Sequence, residues 1–78
     1  MTVKLSRVQQ DDHTTRIVTE VDAGTRRGLS ADETKLVVES LVINHQLSMN
    51  DTKRQHMIER VLLRLGMDVE GLEVLHNH

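Results

Sequence analysis

The chain has 78 residues, a net charge of −2 and no cysteine, phenylalanine, tyrosine or tryptophan. That length predicts a single domain over residues 1–78 with a small core. The lack of cysteine excludes disulfides and thiolate zinc sites, and the lack of aromatic residues leaves Leu, Val, Ile and Met to form the core. Small domains without such stabilisation often oligomerise, so composition favours self-association.

The first 23 residues have the alternation of apolar and polar side chains that is typical of strands. Val3 and Leu5 alternate with polar residues, and β-branched residues are dense in a second segment after a polar break. The pattern predicts a β-hairpin with strands near residues 3–8 and 14–21. A mobile N-terminal arm is the alternative, because an isolated hairpin is only marginally stable in water.

A linker over residues 24–29 leads to a first helix, predicted over about residues 31–46. Ser30 and Glu33 have the spacing of a capping box, which marks the start of that helix. Its apolar residues cover three sectors of the helical wheel instead of one. They are Leu36, Val37, Val38, Leu41, Val42, Ile43 and Leu47. One intrachain neighbour cannot cover all of them, so the helix is expected to meet a partner.

A second helix is predicted over about residues 49–65. Ser48 or Asn50 is the expected N-terminal cap, and Gly66 is suited to end the helix. Only a short turn separates this helix from the first. The two should therefore form an antiparallel helical hairpin.

The C-terminal residues 67–78 are consistent with two structures. Asp68 is placed to cap a short third helix, whose inward residues would be Val69, Leu72 and Leu75. A short strand over the last of these residues is the alternative. The predicted fold is accordingly mainly α, a helical hairpin with an N-terminal β-hairpin and a short C-terminal element. A small α+β domain is the alternative fold class.

The histidines do not predict a metal site. His56 and Glu59 are three residues apart on one helix, and His76 and His78 form an H-x-H tail. A transition-metal site needs three or four converging ligands, and the sequence shows only separate pairs. We therefore expect solvated histidines, with His45 at a helix end, and no bound metal or other cofactor.

No motif for nucleophilic catalysis is present, because cysteine and the G-x-S-x-G pattern are both missing. A chain of this length also has difficulty enclosing a pocket of ~300 Å³. The sequence therefore predicts a protein that is not an enzyme and has no catalytic residues.

Protein–protein binding is the predicted function, in a regulatory or adaptor role. If Leu36 and Ile43 face the intrachain core, Val38 and Val42 lie on the roughly opposite side and meet a second subunit. The predicted interface residues are Val38, Leu41, Val42 and Leu63. The expected partner is a second copy in a homodimer, and a larger regulatory protein is a further candidate.

The outline of Glu33 to Leu65 is similar to small helical connector proteins of enteric bacteria, such as the biofilm and acid-resistance regulators. The shared features are a Glu-led apolar helix, a polar turn and a Leu-rich second helix. This likeness is one of pattern only, and it agrees with a regulatory protein that binds other proteins.

A small DNA-binding regulator is the alternative function. Two helices joined by a short turn resemble a helix-turn-helix, and basic residues follow one side of the second helix. The candidate nucleic-acid contacts are Lys53, Arg54, Arg60 and Arg64. The negative net charge counts against this alternative. Neither a signal peptide nor an apolar run of ~18 residues is present, so a cytoplasmic protein without membrane contact is expected.

Overall fold

The computed structural model describes residues 2–24 and 28–76. In these described ranges two strands precede three helices, which is a small α+β fold. The prediction of a mainly α fold with an N-terminal β-hairpin is therefore confirmed only in part, and the α+β alternative is the fold class that fits. The elements are β1 (Val3–Gln9), β2 (Thr15–Val21), α1 (Ala31–Leu47), α2 (Thr52–Arg64) and α3 (Val69–His76). Part of the predicted linker over residues 24–29 lies outside the described residues.

The two strands form the predicted antiparallel hairpin. Val3 pairs with Val21 at its open end. At the turn, the Asp11 carboxylate accepts hydrogen bonds from the backbone N–H groups of His13 and Thr14 at 2.8 and 2.9 Å. An aspartate that bonds its own following backbone in this way stabilises a turn locally, which explains why the polar break could be recognised from the sequence.

The hairpin is part of the core and not an arm. Val3 and Leu5 on β1 are buried. The Val3 backbone N–H also donates to the Gly66 carbonyl at 3.2 Å, which joins β1 to the connection between α2 and α3. The Arg7 guanidinium donates to the Val74 carbonyl of α3 at 2.8 Å. A two-stranded sheet needs such packing to be stable, and here the helices supply it.

The first helix begins as predicted. The Glu33 backbone N–H donates to the Ser30 hydroxyl at 3.1 Å, and the Ser30 backbone N–H donates to the Glu33 carboxylate at 2.9 Å. Both bonds join residues three apart, so they form without help from the rest of the fold. Just after α2, Gly66 adopts a φ of 103°, which L-residues with a side chain rarely adopt, and the helix ends there as predicted.

The start of the second helix differs from the prediction. Residues 48–50 form a turn that closes α1, and the Asp51 backbone N–H donates to the Ser48 carbonyl at 3.0 Å. The Asp51 carboxylate then accepts from the Arg54 backbone N–H at 3.0 Å. Asp51 is therefore the cap, because Ser48 and Asn50 are used in the turn.

This assignment of the cap predicts a difference between neighbouring substitutions. Asp51→Ala should lower the free energy of unfolding by ~1 kcal/mol, since it removes the acceptor for an otherwise unpaired N–H group. Asn50→Ala is the matched control and should change it by no more than ~0.5 kcal/mol. Urea unfolding of both variants gives the measurement. Equal losses would contradict the assignment.

The core lies where the three helices meet the sheet. It contains residues from β1, from each helix and from the α2–α3 connection, and β2 adds the half-buried Ile17 and Val21. The buried apolar residues are Val3, Leu5, Val38, Val42, Ile58, Leu62, Met67 and Leu75. No helix within the described ranges has both the length and the apolar character needed to cross a membrane.

Candidate functional site

Three side chains from three different helices meet on one side of the core. His45 comes from the last turn of α1, Glu59 from the middle of α2 and His76 from the end of α3. His45 Nε2 lies 2.9 Å from Glu59 Oε2, and His76 Nε2 lies 3.2 Å from Glu59 Oε1. The two imidazole rings are stacked, with centroids 6.0 Å apart. We call this group the His-Glu-His cluster.

His45 is the buried member of the cluster. An ionised carboxylate only accepts hydrogen bonds, so the Nε2 atom that faces Glu59 carries a proton. His45 Nδ1 is buried and has no hydrogen-bond partner among the described residues. The expectation of solvated histidines is thus wrong for His45.

Glu59 is held in its charged form by its two neighbours. Partial burial raises the pKa of the Glu59 carboxyl, but hydrogen bonds from His45 and His76 and their charge lower it by more. The pKa therefore lies below its ordinary value of 4.5. A negative charge lies between the two imidazoles at neutral pH.

The cluster has the chemistry of metal ligands. Each member offers one ligand atom, and these atoms all lie within 4.8 Å of one another. Sequence reasoning paired Glu59 with His56 and His76 with His78 instead. His56 is exposed on α2, and His78 lies outside the described residues. The available signal was the position of His45, which follows Val38 and Val42 along the buried side of α1.

The structure places two predicted interface residues in the intrachain core. Val38 and Val42 are buried against the rest of the chain, so they cannot face a partner without unfolding. Their assignment depended on Leu36 and Ile43 facing inward, and that condition is wrong. Of the remaining predicted interface residues, Leu41 is half-buried and Leu63 is exposed.

The opposite side of α1 carries the exposed apolar residues. The exposed fractions are 68% for Leu36, 57% for Ile43 and 81% for Leu47. Steps of about 100° per residue put these three side chains within about 40° on the helical wheel, and Ser40 lies about 20° beyond them. We call Leu36, Ser40, Ile43 and Leu47 the outer stripe of α1.

The basic residues considered for nucleic-acid contact are all on the surface. Lys53, Arg54, Arg60 and Arg64 are exposed along α2. The Arg54 guanidinium donates to the Asn44 side chain of α1 at 3.3 Å, so it also joins the two helices. Their exposure fits both a solvated helix face and a set of phosphate contacts, so it does not distinguish the two interpretations. The DNA-binding alternative stays a prediction.

Comparisons with other proteins do not add to this description of the site. No protein-family model, no curated protein and no solved structure matches the chain.

Proposed function

We propose that this protein acts by protein–protein binding as a homodimer, in a regulatory or adaptor role and without catalysis. The outer stripe of α1 is the binding surface. The observation that carries the proposal is the exposure of Leu36, Ile43 and Leu47 on the side of α1 that faces away from the core. Contiguous exposed apolar surface on a small soluble protein commonly marks an interaction site.

The spacing of the outer stripe supports a second copy as the occupant. Its four residues follow one another at intervals of four, three and four positions, as the a and d positions of a coiled coil do. Such a seam is self-complementary. An antiparallel pair of α1 helices about a two-fold axis brings Leu36 of each copy near Leu47 of the other.

The polar residue in the stripe is compatible with burial in this dimer. The Ser40 hydroxyl donates to the Leu36 carbonyl of its own helix at 2.9 Å. It therefore keeps a hydrogen bond when water is removed, and the penalty for an unpaired buried group is avoided. Its small side chain also lets the two helices approach closely near the axis.

The composition of the chain supports the same proposal. A core without aromatic residues buries little apolar area per side chain. Association adds buried area that a chain of 78 residues cannot supply alone. A larger regulatory protein that binds the same stripe would compete with the second copy.

Sedimentation equilibrium from low to high micromolar concentration tests the proposal. We expect the wild type to dimerise and Ile43→Glu to remain monomeric, because a charge at the centre of the seam would be buried without a partner. The loss should be at least ~10-fold in the dimerisation constant, which corresponds to ~1.4 kcal/mol.

Gln46→Glu is the matched control for this substitution. It adds the same charge to an exposed position of α1 outside the outer stripe, so it should dimerise like the wild type. A wild type that stays monomeric at high micromolar concentration would contradict the homodimer. Equal dimerisation of wild type and Ile43→Glu would show that the outer stripe is not the interface.

A further inference from the structure

We propose that the His-Glu-His cluster binds a divalent transition-metal ion of the zinc class. The donor set consists of two imidazole nitrogens and one carboxylate oxygen, as in zinc sites that keep one coordination position open. Nothing in the proposed dimerisation uses these residues. The inference is therefore independent of the outer stripe, which lies on the other side of α1.

The distances within the cluster are close to those of a metal site. Zinc–nitrogen and zinc–oxygen bonds of ~2.0–2.2 Å in a tetrahedron place neighbouring ligand atoms about 3.3–3.6 Å apart. Glu59 oxygens lie 2.9 Å from His45 Nε2 and 3.2 Å from His76 Nε2. All three ligand atoms are within 4.8 Å of one another. An ion can therefore replace the two hydrogen bonds after small movements of the side chains.

The burial of the three side chains divides them into a fixed part and an adjustable part. The side chains of His45 and Glu59 are only 2% and 13% exposed, whereas that of His76 is 57% exposed. The first two are held by packing in the orientation needed for binding. His76 can move on the solvent side to admit an ion, and a water molecule can complete the coordination from there.

The charge at the site also suits a cation. The Glu59 carboxylate group supplies an oxygen donor, and each imidazole ring has a nitrogen that can bind a metal ion through its lone pair. Metal binding at Nε2 places the His45 proton on Nδ1, which is buried and has no hydrogen-bond partner among the described residues. This unpaired N–H group costs free energy and lowers the affinity expected of the site.

Metal binding here would join α1, α2 and α3 through one ion. An ion that binds only the folded protein stabilises it in proportion to the logarithm of its concentration over the dissociation constant. The sequence led to the opposite expectation because its ligands lie on three separate helices. Folding brings His45, Glu59 and His76 together, whereas each pair seen in the sequence offered only two ligands.

Isothermal titration calorimetry with zinc chloride on the untagged full chain tests the proposal. We expect one zinc ion per chain and a higher unfolding temperature when zinc is present. His76→Ala removes one of the three proposed ligands and should weaken zinc binding by at least ~10-fold. Loss of a group that only hydrogen-bonds a metal ligand already costs at least that much in affinity. Because His76 is largely exposed, this variant should fold normally, and circular dichroism verifies it.

Two further histidine variants serve as matched controls. His56→Ala removes the histidine three residues from Glu59 on the same helix, and His78→Ala removes the other member of the H-x-H tail. Both should bind zinc like the wild type, and Glu59→Gln, if folded, should bind as weakly as His76→Ala. Zinc binding that is absent from the wild type, insensitive to His76→Ala, or equally weakened by His56→Ala or His78→Ala would overturn the proposal.

Discussion

Val42→Glu should unfold this protein, whereas Ile43→Glu, one residue further along α1, should leave it folded. Val42 is 5% exposed and lies in the core cluster. A glutamate there would be buried without a partner and should cost several kcal/mol. A domain of 78 residues has a free energy of unfolding of about 4–12 kcal/mol, at ~0.05–0.15 kcal/mol per residue. The substitution removes much or all of it.

Far-UV circular dichroism and urea unfolding of the two variants provide the measurement. Ile43→Glu should keep the helical signal and a cooperative transition close to that of the monomeric wild type. The substitution Ile43→Glu should weaken dimerisation, which sedimentation equilibrium measures, without lowering the stability of the monomer. If Val42→Glu unfolded with the same midpoint as the wild type, the assignment of the inner side of α1 would be contradicted.

Leu75→Ala should also destabilise the protein strongly, with a loss of ~2–5 kcal/mol in the free energy of unfolding. Leu75 is 0% exposed and joins α3 to the shared core. Truncation leaves a cavity that neighbouring side chains fill only in part. Because the core of this domain is small, that loss should lower the midpoint of urea unfolding strongly.

Val69→Ala is the control on the same helix. Val69 is 67% exposed, so its truncation should change the free energy of unfolding by no more than ~0.5 kcal/mol. Equal midpoints for the two variants would mean that α3 is not packed on the core. The prediction that Val69 faces inward together with Leu72 and Leu75 is wrong for Val69, which is exposed, whereas Leu72 is half-buried and Leu75 is buried.

The boundaries of the elements were largely predictable because they depend on neighbours in the chain. The Ser30–Glu33 capping box joins residues three apart. Asp68 accepts from the Gly71 backbone N–H at 3.0 Å, as expected for the cap of α3. Gly66 is where a left-handed residue must end α2. Each of these signals acts over one turn of the backbone, so tertiary packing does not change it.

The orientation of α1 was not predictable from hydrophobicity. Its most apolar stripe faces outward, and its buried side includes Thr34 and His45 beside the two valines. The Thr34 hydroxyl donates to the Ser30 carbonyl at 2.8 Å. His45 bonds Glu59 from another helix. Polar side chains can be buried when they have such partners, and a helical wheel does not contain that information.

By itself the sequence determined the start of α1 and the surplus of apolar side chains on α1, and it offered the hairpin and the Asp68-capped third helix as one of two alternatives each. These follow from alternation, local hydrogen bonds and composition. Only the tertiary structure decided that Val38 and Val42 fill the core and that His45, Glu59 and His76 meet. The reason is that both outcomes depend on how separate helices pack, and the positions of atoms from three helices cannot be read from spacing along one chain.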